Sequence, residues 1–243
     1  MSSADPKPPS RQRRKEARPQ ELLDAALALF VEKGFAATRS EEVASRAGVS
    51  KGTLYLYYPS KEELLKAVIE QNLSQLIAHG NDIAEGFEGS TADLLALLLR
   101  TWWERVGNTP AGGIHKVIMS EVGNFPEIAA FYNEQVIVPA HLLITSTLQR
   151  GVERGEFRPM PLDVITHVLI SPILFMALHK HSFGACQVTG SEVNSEEMLT
   201  THIDLALNGL RPRSDADGAR PALATTGSRT AGSTTRKKKD LKP

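Results

Sequence analysis

Residues 50–53 read Ser-Lys-Gly-Thr, and their types and order suit contact with a phosphate or a base edge. Ser50 can cap a helix opening at Lys51, where free N–H groups and the positive end of the helix dipole favour an anion. Lys51 adds a charge, Thr53 a hydroxyl, and Gly52 lets a backbone come close. Tyr55 and Tyr57 follow on the same short helix. Pro59 ends it, because the residue before a proline avoids the α region. Upstream, Thr38 offers a hydroxyl and Arg39 a guanidinium to a phosphate.

A frame must hold that helix at the surface. Ser40 with Glu41 and Glu42 predicts an N-capped first helix, carrying Val43, Ala44 and Ala47 on its apolar stripe. Gly48 supplies a left-handed residue to end it. Ser60 and Glu63 make a capping box for a third, longer helix. Helix, tight Gly-containing turn, helix is the helix-turn-helix pattern, whose second helix enters the DNA major groove. Before it, Leu22, Leu23, Ala26, Leu29 and Phe30 recur at helical spacing from Pro19 to Lys33, with Gly34 as the stop and Phe35 packing beneath.

The string GFAATRSEEVASRAGVSKGTLYLYYPSKEELL, Gly34 to Leu65, resembles the N-terminal DNA-binding domain of the TetR family of bacterial transcriptional regulators. The match runs without a gap from about Gln20 to Val68, roughly a quarter of the chain. It implies that Lys51, Gly52 and Thr53 sit over base edges while Ser40, Tyr55, Tyr57 and Lys61 contact phosphates. It also implies a two-fold homodimer and a second domain that binds a small-molecule inducer. A two-fold pair of heads predicts an inverted-repeat operator in double-stranded DNA.

Lys and Arg balance Asp and Glu at 28 each, but the charges are segregated. Residues 1–60 carry a net of +3, residues 61–210 a net of −9, and residues 211–243 a net of +6. Basic ends around an acidic middle suit a chain whose N-terminal part meets phosphates. Residues 1–18, rich in Ser, Pro, Arg and Lys, are expected to form a disordered basic arm, and residues 211–243 a disordered basic tail. The single cysteine, Cys186, fits a small apolar role in a reducing compartment. No apolar run of the ~18 residues of a membrane span is read in the sequence, and no signal peptide is visible. A cytoplasmic location without a membrane partner is therefore expected.

Residues 19–65 are thus expected to be the DNA-binding unit and 66–210 an all-α ligand-binding and dimerisation domain. A long helix is predicted from Ser60, closed by Gly80 and the Gly86–Gly89 region, and others over Thr91–Val106, Ile114–Val122, Pro126–Val138, Pro139–Arg154, Pro161–Ser182 and Ser195–Gly209. Trp102, Trp103, His115, Met119, Phe125, Phe131, Tyr132, Phe175, Met176, His179 and Phe183 supply adaptable aromatic surface with a few polar tips. That composition suits an apolar small molecule held between helices. By resemblance, Pro139–Arg154 and Pro161–Ser182 pair with their two-fold mates, with Leu143, Thr147, Leu148, Gly151, Leu169 and Ile173 as candidate contacts. Nucleotide-binding glycine loops, a Gly-x-Ser-x-Gly elbow and di-iron Glu/His spacing are missing, so neither an enzyme nor a cofactor is expected. The reading is a ligand-responsive repressor; an activator, a co-repressor-dependent regulator or a ligand binder without operator recognition are the alternatives.

Overall fold

The computed structural model describes residues 11–121, 123–184 and 194–212. Residues 1–10 of the expected arm, Cys186 and the tail from 213 lie outside the described residues. No strand occurs among the described residues, so the all-α class holds there.

The head is built by local signals. Helix α1 runs Arg11–Lys33 and stops at Gly34, whose φ of 87° is left-handed. It starts eight residues before the expected Pro19, because Gln, Arg, Lys, Glu and Ala are good helix formers. Leu22, Ala26, Phe30 and the following Phe35 are fully buried under α2 (Ser40–Arg46), α3 (Lys51–Tyr57) and α4 (Lys61–Ile69). The N-cap of α2 is Arg39 rather than Ser40: the Arg39 N–H donates to Glu42 Oε2 at 3.1 Å, while Ser40 is already helical and mostly buried. Gly48 ends the turn with φ 66°, and the Val49 N–H donates back to the Ala44 carbonyl at 2.9 Å. Ser50 and Ser60 cap α3 and α4, accepting from the N–H of Thr53 and Glu63.

α4 does not end with the head. It passes through residues 65–66 and a π-helical turn at Glu70–Ser74 into α5 (Gln75–Gly86). Gly80 lies inside α5 rather than closing it: a Cβ there would sit 2.7 Å from Leu143, so the glycine permits a close helix crossing. Arg150 caps the far end of the rod by donating to the carbonyls of Ala84 and Phe87.

The body surrounds α6 (Thr91–Trp102), which turns π-helical at Trp103–Gly107. A 3-10 turn at Pro110–Gly112 leads to α7 (Gly113–Glu121), which packs on both α1 and α10 (Leu162–Ser182). α8 (Pro126–Tyr132) continues through a π turn at Asn133–Ile137 into α9 (Val138–Glu153), so the expected break at Pro139 is absent. The carbonyl with which Pro139 would clash, four residues back at Gln135, lies within the wider π turn. α11 (Ser195–Leu210) closes against α6 and α10, and its Glu196 accepts from the Trp103 indole N–H at 3.3 Å.

α10 departs from the sequence reading in one respect. No apolar run of membrane length was expected, yet this helix is long and apolar enough to cross a bilayer by length and composition, with a mean hydropathy of 1.7 over 18 residues and 28% of that window buried. Its unburied apolar side chains, Val164, Val168 and Phe175, form one stripe at spacings of four and seven.

Candidate nucleic-acid interface and ligand cavity

α3 is covered from behind and open in front. Leu54 faces inward and is fully buried, while Lys51, Gly52, Tyr55 and Leu56 face solvent. Ser50 Oγ accepts from the Thr53 N–H at 3.1 Å and lies 2.9 Å from the Thr53 hydroxyl, which fixes the first turn. Lys51 pairs with Glu41 and lies over the Tyr55 ring, 5.6 Å from its centre. That hydrogen bond holds the Glu41 carboxyl below its ordinary range and the Lys51 ammonium above its own. A Cβ on Gly52 would meet only Ser50 Oγ at 3.8 Å, so no packing inside the chain demands a glycine there. Tyr57 is half-buried.

Beside α3 runs a shallow polar groove lined by Thr38, Arg39, Ser40, Tyr55, Ser60 and Lys61 among others. Five of the residues expected to meet DNA are therefore together. Two of them are committed inward. The Thr38 hydroxyl is buried and directs its proton to the carbonyls of Gly34 (2.7 Å) and Leu29 (3.2 Å). A phosphate oxygen is purely an acceptor, so this hydroxyl has no proton left to give it. Lys61 Nζ donates to the carbonyls of Phe35 (2.9 Å), Ala36 (3.2 Å) and Thr38 (3.2 Å) and lies 4.4 Å above the Phe35 ring. Its three protons hold the α1–α2 loop, leaving charge rather than a donor for the groove.

Head and body meet at this loop. Glu121, at the end of α7, is buried and accepts from the Ala36 N–H at 3.1 Å. Phe125 meets Phe35 edge-on, with ring centres 4.9 Å apart. A Cβ on Gly113 would strike Val31 at 2.5 Å, so α7 can approach α1 only at a glycine. Sequence reasoning missed Glu121, whose partner lies 85 residues away, and also Leu56, which is 78% exposed on the recognition helix.

The body holds a cavity of about 320 Å³ between the α4–α5 rod, α6, α7, α9 and α10. Of the residues singled out in the sequence, Trp102, His115, Met119 and Tyr132 line it. The other candidates do not. Trp103 is fully buried toward α11, Met176 lies in the core, Phe125 belongs to the head–body contact, and the Phe131 ring lies under Lys66 Nζ at 5.8 Å. Phe175, His179 and Phe183 follow one another along one edge of α10 and its C-cap, their rings tilted, with Phe175 and Phe183 exposed. The remaining wall is aliphatic, including Leu73, Ile77, Leu98, Leu99, Leu143 and Ile173. Leu143 and Ile173 were expected at a dimer contact. They are buried within their own chain, as are Thr147, Leu148, Gly151 and Leu169.

One polar pair sits within this apolar wall. His115 Nδ1 lies 2.6 Å from the Tyr132 hydroxyl, and Nε2 is buried without a hydrogen bond inside the chain. Burial, with the nearby His181 adding to it, lowers the His115 pKa to about 4, and burial raises that of Tyr132. Both are neutral at pH 7. No cluster of three metal-ligating side chains occurs among the described residues.

Comparison with known proteins matches both parts. Residues 22–68 match the family described as bacterial regulatory proteins, tetR family, and residues 88–184 that described as tetracyclin repressor-like, C-terminal domain. The chain is 30% identical over 145 residues to the HTH-type transcriptional repressor KstR2 of Rhodococcus jostii (strain RHA1), covering 59% of this chain and 70% of that protein. It is 32% identical over 148 residues to the fatty acid metabolism regulator protein of Bacillus subtilis (strain 168), covering 59% and 74%. The structure of FadR from Bacillus subtilis in complex with stearoyl-CoA superimposes with a TM-score of 0.64 at 17% identity, covering 79% of this chain and 99% of that one.

Proposed function

Because this chain belongs to the TetR family of bacterial regulatory proteins, we propose that it binds an inverted-repeat operator as a homodimer and releases it when a small molecule enters the cavity. Relatives named for their activity are transcriptional regulators, and regulators of this family bind DNA operators and ligands, usually as dimers. The observation that carries the reading is the open face of α3: a capped first turn, a glycine with free space above it, and a polar groove alongside. Lys51, Gly52 and Thr53 meet base edges. Arg39, Ser40, Ser50, Tyr55 and Tyr57 meet phosphates, with Lys61 and Thr38 shaping the loop that carries the first two.

Val164, Val168 and Phe175 of α10, with Leu142 of α9, support dimerisation through this helix pair, since each is more than half exposed. Release follows from the position of α7. His115, Ile118 and Met119 line the cavity, and Glu121 reaches the head about 9 Å along the same helix from His115. A ligand that fits only a displaced α7 draws on the Ala36 N–H and tilts the head, favouring a spacing that no longer matches the operator.

The test is a mobility shift with DNA from upstream of the gene, in the presence of competitor DNA. A discrete complex that Tyr55→Ala abolishes is the expected result. A complex that survives Tyr55→Ala, or one no tighter than competitor, sinks the assignment of this face.

A further inference from the structure

Among the described residues of the head, Tyr55 and Leu56 are the only large apolar side chains left exposed, Tyr55 at 39% and Leu56 at 78%. Tyr55 has a hydroxyl to offer water, whereas Leu56 has nothing. Its place on α3 shows where it points. Two residues turn the direction of an α-helix by about 200°. Gly52 and Leu56 stand two residues to either side of Leu54, which is fully buried. Both therefore lie on the line of α3 furthest from the core, with Thr53 and Tyr55 to its sides.

Given the reading of α3 as the element that enters the major groove, on which the rest depends, this line meets the floor of the groove first. Gly52 has no side chain and open space above it apart from Ser50 Oγ, so the backbone can come close there. Leu56 follows one turn later, about 6 Å along the axis. It is the first side chain on that line to reach toward the bases.

Its chemistry limits what it can meet. Leu56 carries no charge and no hydrogen-bonding group, so a phosphate or a polar base edge set against it would lose water and gain no bond. Its neighbours on the open face differ: Lys51 has an ammonium, Thr53 a hydroxyl and Tyr55 a phenol. Among the groups that base pairs present in the major groove, the alkyl one is the C5-methyl of thymine. We propose that Leu56 is a specificity-determining residue, packed on the C5-methyl of one thymine in each half-site of the operator.

The test takes the operator defined by mobility shift and replaces its thymines with deoxyuridine, one symmetric pair at a time. Deoxyuridine pairs with adenine as thymine does and lacks only the methyl. At one pair of positions the native full chain should bind roughly fifteenfold more weakly, about fourfold for each methyl no longer buried. Leu56→Ala should bind the natural operator at least as weakly and lose no more on deoxyuridine at that pair. Deoxyuridine at other positions should affect the variant and the native chain alike. Both should show the same slope of affinity against salt, because no phosphate contact is removed. The side chain is exposed and alanine favours a helix, so the melting temperature should change little.

Equal losses on deoxyuridine in the native chain and in Leu56→Ala would assign the methyl effect to DNA shape and overturn the proposal. Native-like binding of the natural operator by Leu56→Ala also overturns it, as does a shallower salt slope in that variant or the lack of any position where deoxyuridine weakens binding. In each of these cases a discrete complex that Tyr55→Ala abolishes leaves the operator reading standing. The absence of any discrete complex overturns both.

Discussion

The groove beside α3 is shallow, polar and lined by residues that lie between Ala36 and Glu62, whereas the cavity lies deeper between helices and is apolar, lined by residues between Leu73 and Leu174. Each arrangement follows from its surroundings. At the surface, charged groups stay hydrated and their pairs are exchangeable, as for Lys51 and Glu41, both more than half exposed. Inside the body, every unpaired polar atom is costly, and the apolar wall holds the polar pair of His115 and Tyr132, 2.6 Å apart. Polar groups are therefore many and exposed along the groove, and few and largely buried in the wall of the cavity.

Four changes would break or sharpen that contrast. The largest effect is expected for Trp103→Ala. The ring is fully buried and outside the cavity, so the loss of about 3–5 kcal/mol should lower the melting temperature and impair both sites together. Selective loss of ligand binding with unchanged melting would return Trp103 to the cavity wall.

Acidification should act through the body and spare the head. The His115 pKa is about 4 in the folded state against an ordinary 6.5, so between these values the unfolded chain binds more protons. Stability is then full above about pH 6.5 and falls by about 3 kcal/mol as pH approaches 4. His115→Phe should flatten that part of a melting-temperature profile. An unchanged slope in the variant assigns the pH dependence elsewhere.

Glu121→Ala tests the contact that joins the two regions. It leaves the Ala36 N–H without its acceptor, at a cost of about 1–3 kcal/mol. Operator binding should persist while its response to a bound ligand weakens, as read by mobility shift with and without ligand. If Glu121→Ala responds like the native chain, coupling runs through another contact.

Gly52→Ala has the smallest effect on the fold and the most telling sign. An added methyl has room within the chain and favours the helix by about 0.5–1 kcal/mol, so thermal stability should rise slightly. Operator affinity should fall by roughly tenfold, a loss near 1.4 kcal/mol, because the methyl stands where DNA approaches. Unchanged affinity would move the DNA surface away from the start of α3.

What the chain determines by itself is concentrated in the head. Gly34 and Gly48 adopt the left-handed conformation, Ser50 and Ser60 cap, Leu54 points inward, and the residues after them set the open face. These are interactions over three or four residues, so spacing alone encodes them. The same local rules made Trp102, His115, Met119 and Tyr132 legible as candidate cavity residues. They did not separate Trp102 from its neighbour Trp103, or cavity wall from exposed apolar stripe on α9 and α10. Consecutive positions on a helix differ by about 100° in direction, and all were equally apolar.

Only packing decided the rest. The π turns at Glu70–Ser74, Trp103–Gly107 and Asn133–Ile137 bring Leu73, Val106 and Val136 to the cavity, although apolar periodicity would continue an α-helix through each. Lys61 reads as a phosphate ligand until three carbonyls of a loop 23–26 residues away surround it. Glu121 reads as surface charge until the Ala36 N–H arrives from 85 residues upstream. A buried polar atom is defined by its partner, and when that partner is distant in the chain only the folded structure supplies it.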